Sequence, residues 1–510
     1  MGMMLPAYSL FVVPPALVVW AVISDRWSAG SRWLLLVTTV ALACGSFTVL
    51  RTDGIRGGGA DFKWRWSQTS EERLLLQVAA EPAPIAPVPP PSGATSPVPT
   101  GASTVPPSGA TPKTSPAPVL TAREPEWPGF RGPNRDGVVR GSQISTDWSG
   151  APPVQIWHRP IGPGWSSFAV SGDLLYTQEQ RGDDEIVACH RVSTGAPVWQ
   201  HRDAVRFWES NGGAGPRATP TLSHGRVYAF GATGVLNVLD AATGAVIWSH
   251  NVASDAGREV PMWGFASSPL VIDDEVVVAA SGKLAAYDLA TGARRWLGPD
   301  GASSYSSPHR VTIDGVPQIV LLTSNGATSV APANGAMLWQ HAWAEGSTIV
   351  QPAVTADGDV LINAITGTGG SGIRRLAVTR KPDGWHADER WTSNGLKPYF
   401  NDFVVHKGYA YGFDGSILSC IDLADGKRAW KGGRYGDGQL ILLADQDLLL
   451  VVSEDGELAL VSATPEQFKE VARVPALEGK TWNHPVLIGQ TLLVRNGEEM
   501  AAYRLTLAKR

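Results

Sequence analysis

Charge is scarce in this chain. Asp, Glu, Lys and Arg make up 17% of its 510 residues, against ~25% in an average soluble protein. The deficit lies in the first fifty residues and in a proline-rich tract. An excess of positive charge is missing too. The net charge is −5, which argues against the basic stripe of a nucleic-acid binder. Cysteine occurs only at positions 44, 189 and 420. No Cys-x-x-Cys pair exists, so no structural zinc site or dithiol redox site is signalled. Three cysteines also make no disulfide framework. The sequence has no H-E-x-x-H, no phosphate-binding G-x-x-x-x-G-K and no G-x-S-x-G. "GTGGSG" (367–372) spells G-x-G-x-x-G. It lies between two strand-like runs with no helix after it, and reads as a hairpin loop. His201, His250 and His341 each follow a tryptophan by two residues. They fall on outer strands too far apart to share a metal, and no metal site is expected.

Two apolar runs are present near the start. Residues 5–23 and 33–50 carry no charge, and at ~1.5 Å per residue each nearly spans a ~30 Å hydrocarbon core. They predict a membrane anchor over residues 1–52, made of two transmembrane helices, with Pro14 and Pro15 kinking the first. A minor alternative is a lipoprotein signal ending at Cys44. Arg51, Arg56, Lys63 and Arg65 follow the second run. A charge count alone would place the rest of the chain in the cytoplasm, yet long folded domains are exported regardless of nearby charge. Residues 53–80 form a juxtamembrane segment with a short helix, where Thr69 and Glu72 stand at capping-box spacing. Residues 81–126 form a Pro-rich linker containing "PPSGAT" twice. Such a tract extends stiffly and cannot bury a core. Residues 127–153 are a lead-in.

From residue 154 to 505 one phrase recurs. "RVSTGAPVW", "DAATGAVIW", "DLATGARRW", "APANGAMLW" and "DLADGKRAW" each carry Gly at the fifth position and Trp at the ninth. Trp199, Trp248, Trp296 and Trp339 are 49, 48 and 43 residues apart, and Trp430 follows after 91, with Trp391 inside that gap. Periods of this length call for a propeller or a solenoid. Between the phrases lie short β-branched and aromatic runs separated by turn residues. A second landmark precedes each set of strands: Ser167-Phe168, Thr219-Pro220, Ser268-Pro269, Ser307-Pro308, Gln351-Pro352, Asp402-Phe403, Gln439-Leu440 and His484-Pro485. Eight copies with four strands each predict an all-β, eight-bladed β-propeller. The last unit runs out after three strands. "VQIWHRP" (154–160) precedes the first unit as an orphan fourth strand, so this N-terminal strand is expected to close the last blade. Gly would supply a turn with φ > 0, Asp240, Asp288 and Asp422 would bond the turn backbone, and each Trp would wedge between neighbouring blades. Cys189, Val238 and Cys420 share one repeat position and read as packing residues.

The phrase D-x-x-TG-x-x-x-W resembles the repeat of PQQ-binding-like β-propeller proteins. That superfamily includes quinoprotein alcohol dehydrogenases and the propeller lipoprotein of outer-membrane assembly. "WPGFRGPNRDGVV" (127–139) resembles the lead-in of many bacterial members. The resemblance covers about residues 127–505, and it implies the fold and a location outside the cytoplasm. The dehydrogenases carry a vicinal cysteine pair beside their quinone, and this chain has none.

Function is expected where the inner strands begin, around the axis. Just before the landmarks stand Trp165, Arg217, Tyr305, Asn401, Asp437, Lys480, Trp482 and Asn483. Arg and Lys suit carboxylates, the aromatics suit a planar ring, and Asn with Asp suits a hard cation. The expectation is a binding or assembly scaffold on the inner membrane. Its propeller would lie in the periplasm, and its axis would meet a protein partner or a small ligand. The alternative is a dehydrogenase using PQQ with calcium to oxidise alcohols or sugars; no cofactor is assigned from the residues alone.

Overall fold

The computed structural model describes residues 14–15, 17–18, 20–21, 28–56, 59–80, 124–343, 346, 348–366 and 369–508. The proline tract over 81–123 and most of the first apolar run lie outside the described residues, as do positions 367–368 of "GTGGSG".

Eight antiparallel sheets follow one another around an axis. In blade 2, Thr221–Ser223, Arg226–Phe230, Val235–Asp240 and Val246–Asn251 pair in chain order from the axis outward. Blades 1 and 3 to 7 repeat this order. Blade 8 takes its first three strands from Val486–Ile488, Thr491–Arg495 and Glu499–Arg504, and its fourth from Val154–Pro160. Glu499 stands opposite Pro160 and Arg504 opposite Val154, so the expected closure is present. Arg495, fully buried, fastens it by donating to Thr177 Oγ1 at 2.6 Å and to the carbonyl of Gln178 at 2.9 Å in blade 1.

The repeat phrase is a joint between blades. Asp240 Oδ1 accepts from the N–H groups of Ala242 (3.1 Å) and Thr243 (2.9 Å), which closes the turn. Gly244 has φ +73°, and a Cβ there would lie 2.5 Å from the ring of Trp199. Glycine is therefore needed twice, for the turn and as the seat of the previous blade's indole. Gly195, Gly292 and Gly426 seat Trp157, Trp248 and Trp391 in the same way. The indole N–H then bonds the next blade's turn: Trp199 to Ala241 O at 3.0 Å, Trp248 to Leu289 O at 3.1 Å and Trp391 to Leu423 O at 3.0 Å. Trp391 is thus a full member of the set. Trp296 also sits on the next blade's glycine, Gly335, but its indole N–H and that of Trp339 bond Glu275 and Gln318 of their own blades. Cys189, Val238 and Cys420 stand opposite Trp199, Trp248 and Trp430, and both cysteines are buried and unpaired.

The inner landmarks form a ring of a different kind. The N–H of Ser167 donates to Thr219 Oγ1 (3.0 Å), that of Thr219 to Ser268 Oγ (3.0 Å), and that of Ser268 to Ser307 Oγ (2.9 Å). Thr219, Ser268 and Ser307 so satisfy the preceding blade's backbone at the axis with their side chains, where no neighbouring strand is available.

The N-terminal part differs from expectation. The second apolar run forms the helix Ala29–Val49, but the chain turns extended at Leu50. Among the described residues no helix is long and apolar enough to cross a membrane, so the two-helix anchor gains no support. Leu50–Arg56 and Gly59–Trp64 pair as a hairpin that the sequence reading missed. The capping box is present: Thr69 N–H donates to Glu72 Oε2 (2.7 Å) and Glu72 N–H to Thr69 Oγ1 (2.9 Å), opening the helix Ser70–Ala80. This segment packs on the propeller. Glu71 pairs with Arg206 at 2.7 Å and accepts from Gly182 N–H at 2.8 Å, and Arg73 approaches Glu498 at 3.7 Å.

Candidate functional site

A cavity of about 180 Å³ opens where the inner strands begin. Its walls are chiefly aromatic. Trp165 and Trp482 lie with ring centroids 4.7 Å apart, Phe400 stands 4.7 Å from Trp482, and Trp263 stands 5.1 Å from Tyr305. Four of the eight expected residues line it: Trp165, Arg217, Tyr305 and Trp482. Lys480 adds a cation over the tryptophan pair, its Nζ 5.2 Å from the Trp165 ring and 4.5 Å from that of Trp482. Burial pushes its pKa down to about 8, against the pull of Asp61, Glu209 and Glu454.

The other expected residues serve the frame. Asn401 is buried and its Oδ1 accepts from Tyr399 N–H at 3.1 Å. Asn483 donates to the carbonyls of Gly164 (3.2 Å) and Ser166 (2.8 Å). Asp437 sits beside Glu454, outside the cavity lining, and burial followed by that like charge pushes it up to about 6.

Arg217 lines the cavity, but its donors are spent within the protein. Nε donates to Trp263 O (3.3 Å) and Nη1 to Ala214 O (3.2 Å) and Gly215 O (3.1 Å). Nη2 donates to Gly213 O (2.8 Å) and Glu209 (3.0 Å). Glu209 in turn accepts from the N–H groups of Asn211 (2.7 Å) and Gly212 (2.5 Å). The pair braces the loop 209–217 and has little left for a ligand.

Reading the sequence missed Phe130, Trp263, Tyr399, Phe400 and Glu209. Tyr399 and Phe400 sit just before the Asp402-Phe403 landmark, and Trp263 five residues before Ser268, so proximity to a landmark was the available signal. Phe130 had none, because it comes from the lead-in. That segment is a plug across the axis. The N–H of Trp127 bonds Val170 O in blade 1 and Pro128 O accepts from Leu222 N–H in blade 2. Arg135 donates to Ser268 O and Pro269 O in blade 3. Arg131 pairs with Asp402 of blade 6 at 3.0 Å, both 2% exposed. Val138–Val139 adds a parallel strand to blade 7. Asp402 also meets His484 at 2.9 Å, and the Phe130 ring packs edge-on against that imidazole.

The strand Leu50–Arg56 comes up against residues beside the aromatic cavity. Gly54, at φ +98°, is so close to Asn211 and Lys480 that an added Cβ would lie 2.7 Å from Lys480 Nζ.

PQQ is a planar tricarboxylate that needs free cationic donors and oxygen ligands for its calcium. Here Arg217 and Glu209 are mutually committed and Asp402 is held by Arg131 and His484. Among the described residues no cluster of three His, Cys, Asp or Glu could hold a metal. The residues present do not fit this group.

Residues 183–432 match the family described as "Outer membrane protein assembly factor BamB". The protein of that name from Yersinia pestis is 23% identical over 326 residues, 61% of this chain and 70% of its own length. The crystal structure of BamB from Moraxella catarrhalis aligns with a TM-score of 0.51 at 16% identity, over 69% of this chain and 100% of that one. Quinohemoprotein alcohol dehydrogenase from Comamonas testosteroni aligns with a TM-score of 0.54 at 14% identity, over 76% of this chain and 82% of that one. The two structural likenesses show the shared fold, and no more than that.

Proposed function

We propose that this chain, a β-propeller of the PQQ-like repeat type, is an extracytoplasmic assembly scaffold. Its aromatic cavity would take an apolar or aromatic group of a protein partner. The observation that carries the reading is the spent donor set of Arg217 beside an open aromatic wall. Such a wall offers stacking area and few polar handles for a small charged substrate. The name of the Yersinia pestis relative, an assembly factor, agrees with it. The dehydrogenase alternative draws on shared fold alone, and fold does not fix function.

Membrane attachment through residues 5–50 belongs to the same proposal. It rests on the uncharged sequence runs and on the exposed Trp33, Leu34, Val37 and Leu42 of the helix Ala29–Val49.

One set of experiments tests these points. A photo-crosslinking residue in place of Tyr399, in living cells, should give a discrete adduct that is lost in Trp482→Ala. The adduct should stay in the membrane pellet after alkaline carbonate washing; release of the chain would remove the attachment. The purified full chain should retain no PQQ after gel filtration with calcium. Stoichiometric retention with dye reduction on alcohols or sugars would sink the scaffold reading.

A further inference from the structure

The hairpin that leads from the helix Ala29–Val49 to the propeller has two unlike faces. Its register sets Leu50 opposite Trp64 and Arg51 opposite Lys63. Side chains alternate along a strand, so Phe62 and Trp64 share one face and Asp61 and Lys63 the other. The charged face meets the propeller. Lys63 lies 4.0 Å from Glu498, Asp61 pulls electrostatically on Lys480, and Gly54 of the paired strand stands close against Asn211 and Lys480. The aromatic face is therefore the outer one. Phe62 is 43% exposed, Trp64 54% and Trp66 69%. Trp66, in the turn just past the strand, stacks on Trp64 with ring centroids 5.1 Å apart and planes at 12°. The stack fixes the two rings side by side yet leaves both in water, and exposed aromatic area of this kind marks a contact surface.

The surrounding chain indicates what covers this face. The N–H of Arg65, between the two tryptophans, donates to Val49 O at 2.9 Å, which pins the pair to the last residue of the helix. That helix contains nearly all of the uncharged run 33–50, and charge resumes at once beyond it with Arg51, and across the hairpin with Lys63 and Arg65. The helix itself exposes Trp33, Leu34, Val37 and Leu42. Tryptophans beside cations where an apolar segment ends are the composition of a membrane–water interface. The rings sit among the headgroups, and the cations meet anionic lipid.

We infer that the outer face of this hairpin, with Phe62, Trp64 and Trp66, rests in the headgroup layer of an anionic bilayer, and that the propeller's aromatic cavity is thereby turned toward the membrane. The second part follows from the first, because the other side of the hairpin stands against Lys480 and Asn211, and Asn211 lines the cavity. A partner then meets the cavity at the bilayer surface. No crossing helix is needed, since a helix lying along the surface brings the pair to the same depth. The inference rests on the attachment of the chain to a membrane, though not on the scaffold role.

The full chain, mixed with vesicles of phosphatidylethanolamine and phosphatidylglycerol, tests this. An environment-sensitive fluorescent amino acid replaces Phe62, Met262 beside the cavity, or Ala242 in the repeat turn at the opposite end of blade 2. Lipids brominated at the headgroup end of their chains should lower emission roughly twofold or more at position 62 and leave it unchanged at 242. Trp64→Ser with Trp66→Ser, both at exposed positions, should leave the melting temperature unchanged and remove most of that quenching. An energy acceptor on the lipid headgroups should draw more emission from position 262 than from 242. A chain that does not float with the vesicles loses the attachment and this inference together. A chain that floats while position 62 stays unquenched, or is quenched equally in the double variant, overturns this inference alone. Equal transfer from 262 and 242 overturns the orientation. A dimer in detergent that dissociates in the double variant assigns the face to a second copy of the chain and overturns the inference as well.

Discussion

The rim and the axis of this propeller are built on opposite rules. At the rim the same joint recurs, a glycine turn that seats the indole of the previous blade, and its copies are nearly interchangeable. At the axis the copies diverge. Serines and threonines close one arc of the ring, while Asp402, Gln439 and His484 close another and hold a foreign segment, the plug. Repetition marks where packing alone decides. Divergence marks where something other than packing has to be accommodated.

The largest expected effect lies at the rim. Trp248 is buried, bonds Leu289 O and stands on Gly292. Trp248→Ala should cost ~3–5 kcal/mol in denaturant unfolding; a loss below about 1 kcal/mol would mean that the blades do not depend on the joint. The next lies between rim and axis. Glu185 of blade 1 is buried and accepts from Ala232 N–H of blade 2 at 3.1 Å, and burial pushes its pKa up to about 7. The folded state thus holds this proton more tightly than the unfolded chain does. The stability it contributes is complete below about pH 4.5 and fades as pH rises through 7, roughly 3 kcal/mol in all. Glu185→Gln keeps an acceptor and removes the titration, so its stability should stay flatter from pH 5 to 8. Parallel pH profiles for the two proteins would refute this. The smallest effect lies at the axis. Trp482→Ala, in the half-buried cavity wall, should shift stability by only about 1 kcal/mol while abolishing the crosslink. A loss as large as that at Trp248 would erase the contrast between rim and axis.

The blade number, the closing strand and the roles of Gly and Trp were legible because they repeat, and a repeat averages out local ambiguity. Trp165, Arg217, Tyr305 and Trp482 were found through their closeness to the landmarks. Asn401 and Asn483 were equally close yet turned into the frame, Asn401 accepting from the Tyr399 N–H and Asn483 donating to the carbonyls of Gly164 and Ser166. Arg217 shows the limit most clearly. Its position could be read, but its engagement with four carbonyls and Glu209 depends on the fold of a loop that has no repeat. The plug and the 50–64 hairpin escaped for the same reason, because neither has a second copy to align with. The tract over 81–126 was read as a spacer. Residues 81–123 of it lie outside the described residues, and the segment just before it packs on the propeller through Glu71 and Arg73.

Blade 8 joins His158 to Glu499, 341 positions apart in the chain. Among the ring's contacts this is a highly non-local one, and such contacts are slow to form. During synthesis the strand Val154–Pro160 emerges early; Trp157 can seat on blade 1, but the strand's backbone has no ladder partner until the strand Glu499–Arg504 arrives. Until then it presents an unpaired edge, the kind that draws in other chains. The ring therefore behaves as a latch whose two halves are made at opposite ends of translation. Its first half needs shelter for as long as the other seven blades take to appear.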